Sequence, residues 1–149
     1  MRAYAIFFFV LLGTFIIDQN IKMLFVEGYY RAGECIDLVL HYNKGVAFSM
    51  FAFLGPYLKW IQMVLVVVIL LFVFKEGYLK RYAFPIGLLI GGALGNVYDR
   101  FVHEGVVDYV AWHCGFNWAV FNFADIAIDV AVVWILILVY FFSDAAEKK

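Results

Sequence analysis

Long apolar stretches, interrupted by short polar segments, dominate this chain. A helix that crosses a bilayer needs about 17–25 mostly apolar residues, and several stretches reach that length. They cover residues 3–25, 57–74, 82–100 and 121–142. The pattern predicts an all-α integral membrane protein in which four transmembrane helices form a single membrane-embedded domain, residues 1–149.

The connection between the first two spans contains a different pattern. Residues 36–43 (IDLVLHYN) partly alternate between apolar and polar side chains, as a half-buried strand does. We therefore expect a small extracytoplasmic β-sheet and a loop cap that lie on the membrane surface. The later connection, residues 101–120, is predicted to be an outer loop.

The composition strengthens the membrane interpretation. Hydrophobic residues make up 66% of the chain and charged residues 15%, whereas soluble domains average about 45–50% and about 25%. The mean hydropathy is +0.91. A soluble domain of this length cannot bury so much apolar surface, and a net charge of -1 does not fit a nucleic-acid-binding protein.

The charged residues that flank the spans indicate an orientation. The apolar run of the first span ends at Asp18, Gln19 and Asn20 without a small-residue cleavage site, so we interpret the span as a retained helix. Cytoplasmic loops are enriched in Lys and Arg, which places both termini in the cytoplasm. One side holds Arg2, Lys75, Lys80, Arg81, Lys148 and Lys149, and the other holds Arg31, Lys44, Lys59 and Arg100.

The cysteines and histidines do not define a metal site. Cys35 and Cys114 both lie on the predicted outer side, where they form a disulfide or remain as free thiols. The spacing of the three histidines matches no zinc pattern. We expect no metal and no cofactor.

Polar groups inside the spans carry more information, because a charge at the middle of a membrane helix costs at least about 2.5–3.5 kcal/mol. Alternating the four helices brings all of these groups to the outer face of the membrane, while the inner halves are almost purely apolar. The sequence therefore predicts a polar pocket at the outer leaflet. Its members are Asp18, Lys22, Asn96, Asp99, Arg100, Asn122 and Asp125.

Several of these groups also have structural interpretations. Asp18 and Lys22, one helical turn apart, form a salt bridge or face a substrate. Asp99 and Arg100 are expected to form an ion pair that fixes helix ends. Asp129 lies one turn deeper than Asp125, where it joins the pocket or pairs with a cation.

Glycines and an isolated loop acid also have structural interpretations. Gly87, Gly91 and Gly95 repeat every four residues, which is typical of close packing between membrane helices. Asp108, considered alone, resembles a solvated acid in an outer loop. Asp125, at the start of an apolar span, is the strongest functional candidate among the acids.

Paired carboxyl groups offer a chemistry for this pocket. Two carboxyl groups held close together do not both ionise easily, so one keeps its proton while the other stays charged. The charged group can take a proton from water while the protonated group polarises an amide carbonyl. No HExxH zinc motif or Ser-His-Asp arrangement competes. Asp108 and Asp125 are the best pair available.

The chain also resembles a known family, the lipoprotein signal peptidases (signal peptidase II). The resemblance covers nearly the whole chain and rests on five motifs in the family's order. They are residues 18–22 (DQNIK), 43–48 (NKGVAF), 91–100 (GGALGNVYDR), 106–109 (VVDY) and 121–125 (FNFAD). Two positions depart from the family pattern, since Tyr109 stands where Phe is common and Asp129 where a neutral residue is expected.

The resemblance implies an aspartic endopeptidase of the bacterial inner membrane, with its active site on the periplasmic side. It would remove the signal peptide of a diacylglyceryl-modified prolipoprotein by cleaving just before the lipidated cysteine. Asp108 and Asp125 match the catalytic positions. Membrane lipids and globomycin-type inhibitors are expected as binding partners. The enzyme is expected to be a monomer. Residues that match substrate-binding or bracing positions are Asp18, Lys22, Asn43, Gly45, Asn96, Arg100 and Asn122.

Two other functions remain open at this stage. In a small transporter or channel subunit, Asp18, Asp125 and Asp129 would relay protons or bind a cation. In a non-catalytic assembly factor, the glycine-rich helix would form the interface. In a peptidase, the apolar residues Val46, Phe48, Phe51 and Phe53 of the outer connection would cover the substrate.

Overall fold

The computed structural model describes residues 1–45, 52–103 and 105–142. Helices occupy the four predicted apolar stretches, and two strands lie in the two connections that the sequence predicts to be outer. A 3-10 turn, Ala52–Tyr57, leads into the second helix. In chain order the elements are α1 (Arg2–Val26), β1 (Ile36–Asn43), α2 (Leu58–Lys75), α3 (Leu79–Val102), β2 (Val106–Trp112) and α4 (Phe123–Phe142).

Three helical segments in the described residues are long and apolar enough to cross a membrane: Arg2–Val26, Phe53–Lys75 and Phe123–Phe141. Only 17% of each apolar window is buried, so most of these side chains face outward, as lipid-exposed residues do. The sequence predicted a fourth such span, but α3 does not meet the same measure. It begins at Leu79, takes in Lys80 and is rich in glycine, which lowers its apolarity.

Helix α3 packs tightly along α1, and its glycines make the contact possible. A Cβ at Gly87 would collide with Val10, one at Gly91 with Thr14, and one at Gly95 with the carboxylate of Asp18. Residue numbers rise together along the two helices, so α1 and α3 run parallel. The predicted close packing at the glycine repeat is confirmed.

Helix α4 packs on another side of α3 and runs in the opposite direction. Gly92 lies against the main chain of Ala124, near the start of α4. Further along, the rings of Phe84 and Trp134 are 5.1 Å apart. The C-terminal ends of α1 and α3 and the N-terminal end of α4 therefore meet at one end of the bundle, where the polar side chains are concentrated.

The two strands form an antiparallel sheet at that same end. Asn43 is opposite Val106, Ile36 is opposite Trp112, and the register shifts between Leu38 and His41. The predicted strand over 36–43 is confirmed. The prediction of a loop over 101–120 was wrong for β2, whose β-branched and aromatic residues suit a pleated, half-buried surface.

Two details complete the sheet and its surroundings. A disulfide joins Cys35 to Cys114 beside the sheet, which resolves the choice between paired and free thiols. Of the four apolar residues expected to cover a substrate, Val46, Phe48 and Phe51 lie outside the described residues. Phe53 is described, and 83% of it is exposed.

Candidate active site

Lys22 is the centre of a buried ionic cluster at the end of α1. Its Nζ lies 2.8 Å from Asp18 Oδ2 and 2.7 Å from Asp99 Oδ2, and it donates a hydrogen bond of 2.9 Å to Asn96 Oδ1. Only 2% of the lysine side chain is exposed. All three ammonium protons have an acceptor, which is the condition for a buried charge to be tolerated.

Asp99 and Arg100 have different partners from those the sequence suggested. They were expected to pair with each other, but Asp99 faces Lys22 and also accepts a hydrogen bond of 3.1 Å from the main-chain N–H of Val107. Arg100 donates to the main-chain carbonyls of Asn43 and Gly45. Because adjacent helical residues point in different directions, Asp99 holds β2 and Arg100 holds the end of β1.

The start of α4 is buried, so its first N–H groups need acceptors. The N–H of Phe123 donates to the hydroxyl of Tyr109 at 3.0 Å, and the N–H of Ala124 donates to Asp18 Oδ1 at 3.1 Å. The Asp125 N–H donates to Asn122 Oδ1 at 3.0 Å. Residues from α1 and β2 thus cap α4, and the hydroxyl that distinguishes Tyr109 from phenylalanine takes part.

Asn122 and Asp125 form a reciprocal cap that explains their spacing. The Asp125 carboxylate accepts a hydrogen bond of 3.1 Å from the main-chain N–H of Asn122, while the Asn122 side chain accepts from Asp125. This is the arrangement of a capping box, in which residues three apart satisfy each other's main-chain donors. Asn96 Nδ2 donates to the other Asp125 oxygen at 2.8 Å. Both carboxylate oxygens of Asp125 are therefore fixed.

Asp108 lies on β2 and is 1% exposed, so its interpretation as a solvated loop acid is wrong. Its two oxygens accept hydrogen bonds from Asn122 Nδ2 at 2.6 Å and Asn43 Nδ2 at 3.0 Å. Burial, and then the nearby charge of Asp125, raise the pKa of Asp108 to about 7, and the amide donors only partly oppose the rise. Strand β2 is what carries this carboxyl group inward.

Asn122 connects the two candidate carboxyl groups. Its side-chain amide donates to Asp108 Oδ1 and, at 3.1 Å, to Asn96 Oδ1, and its main-chain N–H donates to Asp125. The side chain is fully buried. A small rigid network of amides therefore sets the positions of Asp108 and Asp125 relative to each other.

A cavity of about 360 Å³ opens beside this network. Five of the residues predicted for the site line it, and Asp129, whose role was undecided, lines it too. Four predicted residues do not line it: Lys22 and Asn122 contact Asn96, which does, Asp18 pairs with Lys22, and the carbonyl of Gly45 accepts a hydrogen bond from Arg100. The predicted residues that line the cavity are Asn43, Asn96, Arg100, Asp108 and Asp125.

Other lining residues were not anticipated. Gln62 reaches the cavity from α2, and the segment from Trp118 to Phe121 supplies an apolar wall. Gln62 could have been found, because it is an isolated polar residue in an otherwise apolar helix. The segment had no comparable signal, since its position depends on a main-chain bridge between Phe121 and Val110. Among the described residues, no group of three or more His, Cys, Asp or Glu could hold a metal ion.

The fold resembles that of solved membrane enzymes. One structure, described as a bacterial membrane enzyme determined by the in meso method at 2.3 Å resolution, matches with a TM-score of 0.75 and 24% identity. The match covers 95% of this chain and 90% of that one. A second structure of the same description, at 1.9 Å, gives a TM-score of 0.74 over 90% of this chain and 92% of that one. These likenesses establish the fold.

The sequence comparisons identify the family. A protein of Sulfurovum sp. (strain NBC37-1) named lipoprotein signal peptidase is 75% identical over 98% of this chain and 100% of that protein. A protein of the same name from Sulfurimonas denitrificans is 60% identical over 93% of this chain and 90% of that protein. One from Helicobacter pylori is 44% identical over 95% of this chain and 88% of that protein. Residues 10–142 match the family model described as Signal peptidase (SPase) II. The chain belongs to the signal peptidase II family, whose members are proteases that cleave signal peptides from prolipoproteins.

Proposed function

We propose that Asp108 and Asp125 are the catalytic pair and that the cavity beside them receives the scissile peptide bond. The observation that carries the proposal is the position of both carboxyl groups in one cavity wall, joined through Asn122. A pair that shares such a site divides into a proton donor and a proton acceptor. The proposal makes the chain an aspartic peptidase.

Asp108 is suited to hold the proton. Its pKa of about 7 keeps a large fraction of the carboxyl group protonated near neutral pH. Asp125 is suited to stay charged, because it lies in the first turn of α4 and accepts hydrogen bonds from Asn96 and Asn122. The positive end of a helix dipole favours a negative charge there.

The reaction then needs only these two groups and water. Asp125 accepts a proton from the water molecule, whose oxygen forms a bond to the carbonyl carbon, while Asp108 donates its proton to the carbonyl oxygen. In the second step the C–N bond of the tetrahedral intermediate breaks, and Asp125 gives its proton to the leaving nitrogen. Asp108 takes back a proton from one hydroxyl group of the intermediate, which becomes the carbonyl oxygen of the new carboxylic acid. The products are a carboxylic acid on the signal peptide and a free amine on the mature lipoprotein.

The remaining predicted site residues divide into two groups by position. Asn43, Asn96 and Arg100 line the cavity and are proposed to contact the substrate. The others are proposed to hold these residues in place without touching the substrate. That second group consists of Asp18, Lys22, Gly45 and Asn122.

We further propose that α3 is a fourth membrane span and that the site faces the periplasm. Helix α3 lies against α1 and α4, which both have the length and apolarity of spans. Basic residues lie at the opposite end, and the Cys35–Cys114 disulfide lies at the end with the site. Disulfides persist in oxidising compartments such as the periplasm, so both termini would be cytoplasmic in an inner-membrane protein.

The substrate and its surroundings follow from the same placement. A signal peptide is an apolar helix that already lies in the bilayer, and a diacylglyceryl group on the following cysteine would anchor the scissile bond at the depth of the cavity. We propose cleavage just before that cysteine, contact with membrane lipids, inhibition by globomycin-type compounds and a monomeric enzyme.

The test replaces each carboxyl group separately. We expect Asp108→Asn and Asp125→Asn each to lower the cleavage rate of a diacylglyceryl lipopeptide by about 10²–10⁴-fold, the usual contribution of a general acid or base. Binding of the uncleaved lipopeptide, measured by titration of a labelled precursor, should change little, because the amide keeps the shape of the carboxyl group.

A matched control is Asp37→Asn on the same sheet. Asp37 Oδ1 lies 3.4 Å from His113 Nε2, and Asp37 does not line the cavity. Its replacement should therefore leave the cleavage rate unchanged. Normal turnover by either Asp108→Asn or Asp125→Asn would show that the pair is not catalytic.

A further inference from the structure

Helix α2 contains one polar side chain that its surroundings do not explain. Every residue between Lys59 and Lys75 is apolar except Gln62. A polar group at membrane depth is costly and usually marks a functional site. Gln62 also faces the same cavity as Asp108 and Asp125.

The side-chain oxygen of Gln62 is an acceptor that the described part of the chain leaves without a donor. Oε1 is buried, and no residue in the described ranges donates a hydrogen bond to it. Arg100, which lines the same cavity, has the complementary feature: its Nε is buried and lacks an acceptor among the described residues. Near the cavity, Gln62 Oε1 is therefore an acceptor and Arg100 Nε a donor that the described residues do not satisfy.

Cleavage of a membrane-embedded helix creates a demand for such groups. A peptide bond inside a regular helix is shielded by its neighbours, so the segment at the scissile bond must unwind before water can attack. Unwinding frees main-chain N–H and C=O groups. In an apolar surrounding these groups must find new partners, because no bulk water is present to supply them.

We propose that Gln62 is a substrate-binding residue whose Oε1 accepts a hydrogen bond from a freed main-chain N–H of the signal peptide. Arg100 Nε donates to a main-chain carbonyl of the same unwound segment. The interaction recognises the peptide main chain, so it serves precursors whose side chains differ. This inference depends on the proposed position of the scissile bond in the cavity.

The first test is Gln62→Met, which removes the acceptor and keeps a similar volume. We expect KM for a diacylglyceryl lipopeptide to rise about tenfold, the effect of one lost hydrogen bond, with kcat changed less than about twofold. The thermal midpoint should not fall, because the change removes a buried unsatisfied atom. An unchanged KM would overturn the proposal.

The second test locates the partner on the substrate. A series of lipopeptides carries one N-methyl group at each main-chain nitrogen on the signal-peptide side of the scissile bond. With the wild-type enzyme, one position should raise KM about tenfold, and the Gln62→Met enzyme should show no further rise at that position. Equal losses in both enzymes at every position would contradict a hydrogen bond from the substrate to Gln62.

The controls separate this inference from the proposed catalytic pair. Met63→Leu changes the neighbouring residue on the outward face of α2, where Met63 is 37% exposed, and should leave KM unchanged. If Asp108→Asn and Asp125→Asn keep normal turnover, the catalytic assignment fails whatever Gln62 does. If they lose turnover and Gln62→Met behaves as wild type, only the assignment of Gln62 fails.

Discussion

Asp108 and Lys22 are buried to a similar degree, but their charges are compensated differently. Lys22 has two carboxylate partners, Asp18 and Asp99, within 2.8 Å. Among the described residues, the hydrogen bonds to Asp108 come from the neutral side-chain amides of Asn43 and Asn122. A buried carboxyl group whose hydrogen-bond donors are neutral keeps its proton to higher pH than one in direct contact with a cation. The site therefore separates a structural cluster of paired charges from a carboxyl group that can exchange a proton.

This difference predicts the pH dependence of activity. In the proposed mechanism Asp108 acts as an acid, so the active form would be the protonated one, and burial raises the pKa of Asp108 to about 7. Activity should fall as the pH rises through about 7. Asn43→Ala removes a hydrogen bond that lowers this pKa, so the fall should move to higher pH. Rates of lipopeptide cleavage at a series of pH values measure both effects.

Two outcomes would contradict this account of Asp108. One is a rate that rises through pH 7 in the wild-type enzyme, because the required proton is lost in that direction. The other is a profile that Asn43→Ala leaves at the same pH, since the cited hydrogen bond would then have no influence on the acid.

The residue scale also shows the limit of prediction from sequence. Asp125 could be identified as a candidate because it interrupts an apolar span. Gln62 interrupts an apolar helix in the same way. Asp108 could be paired with Asp125 on chemical grounds, but its burial could not be foreseen. That burial depends on pairing between β1 and β2 and on the Asn43 side chain, 65 positions away in the chain.

At the scale of elements, the N-terminus of α4 is the junction that organises the site. Its main-chain donors are capped by Asp18 from α1, by Tyr109 from β2 and by Asn122, the residue just before α4. Asp18 in turn is held by Lys22. The position of Asp125 therefore depends on contacts between three elements, and α3 supports them through Asn96 and Asp99.

Replacement of Lys22 should disturb this junction more than the chemistry. Lys22→Met leaves Asp18 and Asp99 buried without their cation, and breaking a buried pair in this way costs about 3–5 kcal/mol. We expect a loss of that size in the free energy of unfolding, measured by denaturant titration in detergent micelles. The protein that remains folded should keep most of its specific activity.

Asn20→Ala is the control, because Asn20 lies on the exposed side of α1 and its side chain donates a hydrogen bond to the main-chain carbonyl of Ile16 in its own helix. It should change the free energy of unfolding by less than about 0.5 kcal/mol. Equal stability of Lys22→Met and the wild type would contradict the structural role of the ionic cluster.

Helices were easier to predict than strands in this chain. The glycine repeat and the apolar stretches located α1 to α4 within a few residues, because membrane helices follow from local composition. Strand β2 was missed, since a short strand depends on a distant partner for its hydrogen bonds. The same dependence kept the Asp99 and Arg100 contacts, which tie α3 to the sheet, out of reach of sequence analysis.

At the scale of the whole molecule, the polar and apolar parts lie at opposite ends. The site occupies the end that carries the sheet, whereas a core of apolar residues, including Phe7, Val73, Ile86 and Ile90, fills the other end. A transporter needs polar groups along the whole path across the bilayer. The separation of polar and apolar side chains therefore does not fit a transporter. It agrees with membership of a protease family.

The same division suits a protease that works at a membrane surface. The apolar outward faces of the spans can remain in lipid while the cavity meets the end of a bound signal peptide. In the proposed mechanism the substrate would move sideways within the bilayer, so that its apolar helix would not need to enter water. The proposed chemistry would then take place at the depth at which the lipid anchor would hold the scissile bond.

The most direct test of the central claim is a structure of the Asp125→Asn variant with an uncleaved diacylglyceryl lipopeptide. The account predicts that the carbonyl oxygen of the scissile bond lies about 2.6–3.2 Å from the Asp108 carboxyl group, with the carbonyl carbon facing the side chain at position 125. A scissile bond bound elsewhere, beyond the reach of Asp108, would contradict it.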